Sequence, residues 1–72
     1  MYKVFSMEGC QACTKAVNLL KSKGLAYEVV KIDEDLEAGE WIMSQGHRSM
    51  PQIYQDEVLV LGGFVGLQAH LK

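Results

Sequence analysis

Two strand-like runs flank a helical pattern in the first half of this chain, and that order leaves few topologies open. YKVFS, Tyr2–Ser6, is short, β-branched and aromatic, which suits a buried strand, and AYEVVKI, Ala26–Ile32, is rich in Val and Ile and reads as a second strand. Between them, from about Gln11 to Lys23, Ala12, Cys13, Ala16, Val17, Leu19 and Leu20 recur at spacings of three and four. Lys15, Asn18 and Ser22 are left for solvent, which makes the segment an amphipathic helix. Lys21 and Lys23 fall in its last turn, where cations complement the helix dipole, and Gly24 can take the left-handed closing position. Two strands joined through one helix are most economically parallel.

The second half reads differently. The acidic run DEDLE, Asp33–Glu37, suits the positive amino end of a second helix, carried on by Leu36, Trp41, Ile42 and Met43, weakened at Gly39 and ended at Gly46. PQIY and VLVL flank a three-residue connection, Gln55-Asp56-Glu57, and predict a hairpin. Gly62 and Gly63 break the chain, and Phe64, Leu67 and Leu71 propose a terminal helix. The predicted fold is α/β, in the order β-α-β-α-β-β-α, with a four-stranded mixed sheet flanked by three helices. With 72 residues, no linker and no repeat, residues 1–72 are expected to form a single domain. A domain of that size buries only about 60% of its unfolded surface.

Several function classes are disfavoured at this level. Seven Lys and Arg against nine Asp and Glu give a formal charge of −2, which offers no basic surface for nucleic acid. No apolar run approaches the roughly 18 residues of a membrane span, and MYKVFSMEG lacks the basic region and apolar segment of a signal peptide. A cytoplasmic monomer is the expectation.

The chain's only cysteines, Cys10 and Cys13, are separated by Gln11 and Ala12. A cross-link between residues three apart closes almost no loop and removes little entropy from the unfolded chain, so the pair cannot serve as a framework staple. A metal site needs two more ligands, and His47 and His70 are neither near the pair nor spaced like a zinc knuckle. No metal is expected. Cys13 shares a face with Val17 and Leu20 and is expected to pack inward. Cys10 follows Gly9 at the turn into the helix, where free N–H groups and the dipole favour an anion. Thiols in that setting ionise below the free value of about 8.5 and are nucleophilic as thiolates. The expected roles follow: Cys10 attacks a substrate disulfide, and Cys13, one turn in, resolves the mixed disulfide.

A second constellation is HRSMPQIY, His47–Tyr54, which holds the only proline. Pro51 can be a simple strand-edge feature or a cis bond that exposes the Met50 backbone for strand-like pairing with a substrate. Arg48 reads as a solvated charge or, near the cysteines, as a carboxylate binder. The glycine pair can be a helix-entry turn or an anion cradle. Trp41 is expected to pack rather than to bind.

Cys-x-x-Cys on the first helix, Ser-Met-Pro before a strand and Gly-Gly-Phe before the last helix occur here in order over the whole chain. In this the sequence resembles a glutaredoxin of the thioredoxin superfamily. The resemblance implies a thioredoxin-like fold, a cis-proline at Pro51, and catalysis by Cys10 and Cys13 without a tightly bound cofactor. It further implies that Gln11, Arg48, Met50, Pro51, Gly62, Gly63 and Phe64 form the site for substrate or glutathione, the latter as co-substrate. Disulfide-containing proteins would be the partners. The sequence is also similar to the short glutaredoxin-like redoxins that reduce ribonucleotide reductase and are themselves reduced by thioredoxin reductase: Gln11 and GHRSMP carry that likeness. The alternative is a module without reductase activity that binds zinc or, as the wider family implies, carries an iron–sulfur cluster, and against the cluster Cys13 and Met7 argue.

Departures from the glutaredoxin pattern bear on the reductant. Ala12 stands where an aromatic contact is usual, Met7 where a lysine is common, and Val65 and Gly66 where a Thr/Ser-Asp pair usually meets the γ-glutamyl group. Each lost charge-assisted hydrogen bond would cost about 1.5–3 kcal/mol, so glutathione recognition is expected to be weakened.

Overall fold

A computed structural model describes Met1–Lys72. The elements follow in the expected order: β1 (Tyr2–Ser6), α1 (Gln11–Ser22), β2 (Tyr27–Lys31), α2 (Leu36–Ser44), β3 (Gln52–Gln55), β4 (Val58–Val60) and α3 (Gly63–His70). They form one sheet in the order β2-β1-β3-β4, with β1 and β2 parallel and the other two pairs antiparallel. No helix is long and apolar enough to cross a membrane.

Alternation along the strands builds two apolar layers. Val4 pairs with Ile53 and Ile53 with Val60, and these three, with Tyr2, pack against Ala16 and Leu20 of α1 and Leu67 of α3. Phe5 faces the other side. There Trp41 of α2 stacks on it with ring centroids 5.4 Å apart, and Tyr54 of β3 meets both rings. The result is a three-layer domain with α1 and α3 over one face and α2 over the other. Trp41 is a packing residue, as expected, although partly exposed.

Helix ends explain most of the boundaries. At the end of α1 the N–H of Gly24 bonds to the Lys21 carbonyl and that of Leu25 to the Leu20 carbonyl, both at 3.1 Å, with Gly24 at φ 68. This is a Schellman closure, and it needs the left-handed residue that glycine supplies. α2 starts later than the acidic run suggests. Asp35 caps it by accepting the Ala38 N–H at 3.1 Å, while Asp33 and Glu34 lie in the preceding turn. A β-carbon at Gly39 would sit 3.0 Å from the Ile32 carbonyl oxygen, so the apparent weak point lets α2 pass close to the end of β2.

The hairpin corrects one expectation. Gln55 still pairs with Val58, so the connection is two residues, Asp56 and Glu57, rather than three. Both have positive φ, 48° and 72°, the backbone of a type I′ turn whose twist matches the strands it joins. Asp56 suits the first of these positions, but Glu57 stands where a glycine is usual, so the sequence does not announce the two-residue length.

Candidate active site

β1 delivers the chain to a tight turn at the carboxyl end of the sheet. The Cys10 N–H reaches the Met7 carbonyl at 3.4 Å, and Gly9, at φ 77, holds the position that a side chain would disfavour. Cys10 then caps α1 with an extended backbone, φ −87 and ψ 102. Its Sγ accepts the N–H of Cys13 at 3.1 Å. The sulfur thereby takes the place that a serine or aspartate oxygen commonly fills, directly on the positive end of the helix. Cys13 is buried at 2% exposure, whereas Cys10 is partly open to solvent. The two form a disulfide, with Cα atoms 5.3 Å apart. That separation lies in the range a disulfide requires.

The other two motifs converge on the same end of the sheet. Continuing the β1–β3 register past Phe5 and Gln52 sets Ser6 opposite Pro51 and Met7 opposite Met50. The Met50–Pro51 bond is cis. Pro51 is buried, and a β-carbon at Gly63 would lie 3.5 Å from its carbonyl oxygen, so the glycine pair packs against the proline. Gly62 caps α3 at φ 95. Met50 is half-buried, and no hydrogen bond outside the helices and strands uses its backbone. Gln11 opens α1 and is exposed. Arg48 is exposed and makes no ion pair. Phe64 is half-buried and packs on the core, leaving Val65 as the exposed apolar side chain of the first turn of α3. At Gly66 a β-carbon would overlap the Leu61 carbonyl oxygen outright.

On the β2 side of Cys10 lies a shallow cleft lined by Ser6, Met7, Glu8, Gly9, Cys10, Gln11, Thr14 and Lys31. Its charges form a small network. Lys31 Nζ is 3.6 Å from a Glu8 carboxylate oxygen and 3.8 Å from one of Glu34, and Asp33 accepts the Glu8 N–H at 3.1 Å. Sequence reasoning missed these residues, because their meeting is long-range. Their only local trace is Lys31 followed by three acids in VKIDED, Val30–Asp35, which places Glu34 three residues after Lys31. The histidines lie elsewhere: His47 Nε2 is 2.9 Å from the Tyr54 hydroxyl, and His70 Nε2 is 2.7 Å from Gln55 Oε1. Burial pushes the Tyr54 hydroxyl above its ordinary value.

A helix-capping Cys-x-x-Cys at the same end of the sheet as a cis-proline packed on a glycine pair agrees with comparison to known proteins. The glutaredoxin family model matches residues 3–60. This chain belongs to the glutaredoxin family. A curated glutaredoxin relative, "Probable glutaredoxin ssr2061" of Synechocystis sp., is 37% identical over 57 residues, 76% of this chain. The match takes in 65% of that relative, so the chain spans just under two thirds of its length. Among solved structures, the NrdH-redoxin of Escherichia coli superposes with a TM-score of 0.83 at 20% identity, covering 97% of this chain and 91% of that one. The glutaredoxin of Brucella melitensis gives 0.74 at 29% identity, covering 94% of this chain and 74% of its own. Such neighbours place this glutaredoxin in the thioredoxin-like fold.

Proposed function

We propose that this glutaredoxin is a thiol–disulfide oxidoreductase that reduces protein disulfides through Cys10 and Cys13. The observation that carries the reading is the Cys13 N–H directed at Cys10 Sγ on the amino end of α1. A thiolate there gains a charge-assisted hydrogen bond as well as the helix dipole. Cys10 attacks one sulfur of the substrate disulfide, and the other leaves as a thiolate. Cys13 then attacks Cys10 Sγ and releases the second substrate thiolate. Two electrons have moved, and the protein is left with the Cys10–Cys13 disulfide. The unoccupied backbone of Met50 supports short pairing with an extended substrate segment beside the sulfur.

For the return of electrons we favour thioredoxin reductase over glutathione. The Leu61 carbonyl excludes a side chain at Gly66, Val65 is apolar, and Ala12 offers no stacking surface, so little remains to hold a γ-glutamyl group. The likeness to E. coli NrdH-redoxin, a glutaredoxin-like protein with a thioredoxin-like activity profile, supports that choice. Electron donation to ribonucleotide reductase, by a monomer in the reducing cytoplasm, is the physiological form we propose. Reduction of a model protein disulfide should vanish in Cys10→Ser and stall as a trapped mixed disulfide in Cys13→Ser. Full reductase activity without Cys10 would end the proposal. Faster turnover with glutathione than with thioredoxin reductase and NADPH would reverse the choice of reductant.

A further inference from the structure

The cleft beside Cys10 carries a charge arrangement that the thiol chemistry above does not use. Glu8 lies two residues before Cys10, Asp33 just past the end of β2 accepts the Glu8 N–H, and Glu34 lies beside Lys31. Against these carboxylates stands Lys31. Its ammonium is within 3.6 Å of Glu8 and 3.8 Å of Glu34, and its side chain, 46% exposed, lines the same cleft as Cys10. Neither Lys15, on the exposed side of α1, nor Arg48, before β3 and without an ion partner, lines this cleft. α3 contributes no charged side chain in its first turn.

We propose that Lys31 is a positioning residue for Cys10: its ammonium offsets the carboxylates of Glu8 and Glu34 across the cleft and keeps the Cys10 sulfur ionisable near neutral pH. Ion pairs this exposed contribute little to folding. Their effect on a neighbouring thiolate is separate, because that thiolate appears only when the disulfide is reduced and feels the sum of charges around it. The inference rests on Cys10 being the attacking thiol, but it is read without any substrate.

The test exploits a difference in sign. Lys31→Met and Glu8→Gln break the same ion pair, yet they change the charge beside Cys10 in opposite directions. In a Cys13→Ser background, the Cys10 pKa is read from ultraviolet thiolate absorbance and from the pH profile of alkylation. Lys31→Met should raise it by about half a pH unit, Glu8→Gln should lower it, and Lys31→Arg should leave it near the parent value. Salt should shrink both shifts. If both variants move the pKa in the same direction, the ion pair acts only through loop structure and the proposal fails. It fails equally if Lys31→Met leaves the pKa unchanged. Inactive protein with the predicted pKa pattern would instead count against the reductase reading alone.

Discussion

The carbonyl oxygen of Leu61 occupies the space that any side chain at Gly66 would need. Gly66 also donates its N–H to the Gly62 carbonyl at 3.0 Å, and a β-carbon at Gly62 would come within 3.0 Å of the Gly66 Cα. The start of α3 is thus a close backbone crossing in which two glycines interlock.

Gly66→Ala should therefore destabilise the domain by about 1–3 kcal/mol, the usual cost of forcing atoms into a packed contact. Urea denaturation of the two proteins measures it. Gly66→Asp should not create a useful glutathione contact, since the same overlap precedes any new hydrogen bond.

Glu57 sits at φ 72, in the left-handed region that β-carbons disfavour. Replacing it with glycine should raise stability by about 0.5–1 kcal/mol, the relief of strain outweighing the extra freedom of the unfolded chain. A thermal melt that is unchanged or lower in Glu57→Gly would contradict this account of the turn.

Asp35→Ala removes the oxygen that accepts the Ala38 N–H. The expected loss is about 1 kcal/mol by chemical denaturation. Asp35→Asn and Asp35→Ser should retain most of it, because either can cap.

How much of this could be read beforehand depends on range. α1 is legible because its apolar stripe and its closing glycine are local, and Cys10 is legible as a helix-tip thiol for the same reason. The hairpin length is not, because Glu57, unlike Asp56, is no turn former and adopts positive φ under the pull of strand pairing between Gln55 and Val58. The link from Asp33 to Glu8 spans 25 residues and depends on the parallel register of β1 and β2. The acidic run consequently reads as one helix start, when in the fold Asp35 caps α2 and Asp33 braces the turn before Cys10. Gly39 and Gly66 look like blemishes in helices until the neighbouring carbonyls are known.

Tyr54 supplies a pH-dependent term with a definite sign. Burial raises the pKa of its hydroxyl in the folded state, so the unfolded chain gives up that proton first as pH climbs past 10.0. The contribution to stability is fully present below that value and is lost as pH rises through the folded pKa. Tyr54→Phe also forfeits the contact with His47 and is expected to start less stable at neutral pH. Its stability should nevertheless decline less steeply in alkali, as denaturation midpoints across an alkaline series would show.

The hydrogen bond from the Cys13 N–H to Cys10 Sγ has a further consequence for observation. One sulfur both closes the first turn of α1 and, in the proposed reaction, exchanges disulfides, so any displacement of that sulfur in a mixed disulfide would free the Cys13 amide from its hydrogen bond. Protection of that single amide against solvent exchange is a built-in gauge of the catalytic cycle. It would follow the cycle in solution without a label, a cofactor or a coloured substrate.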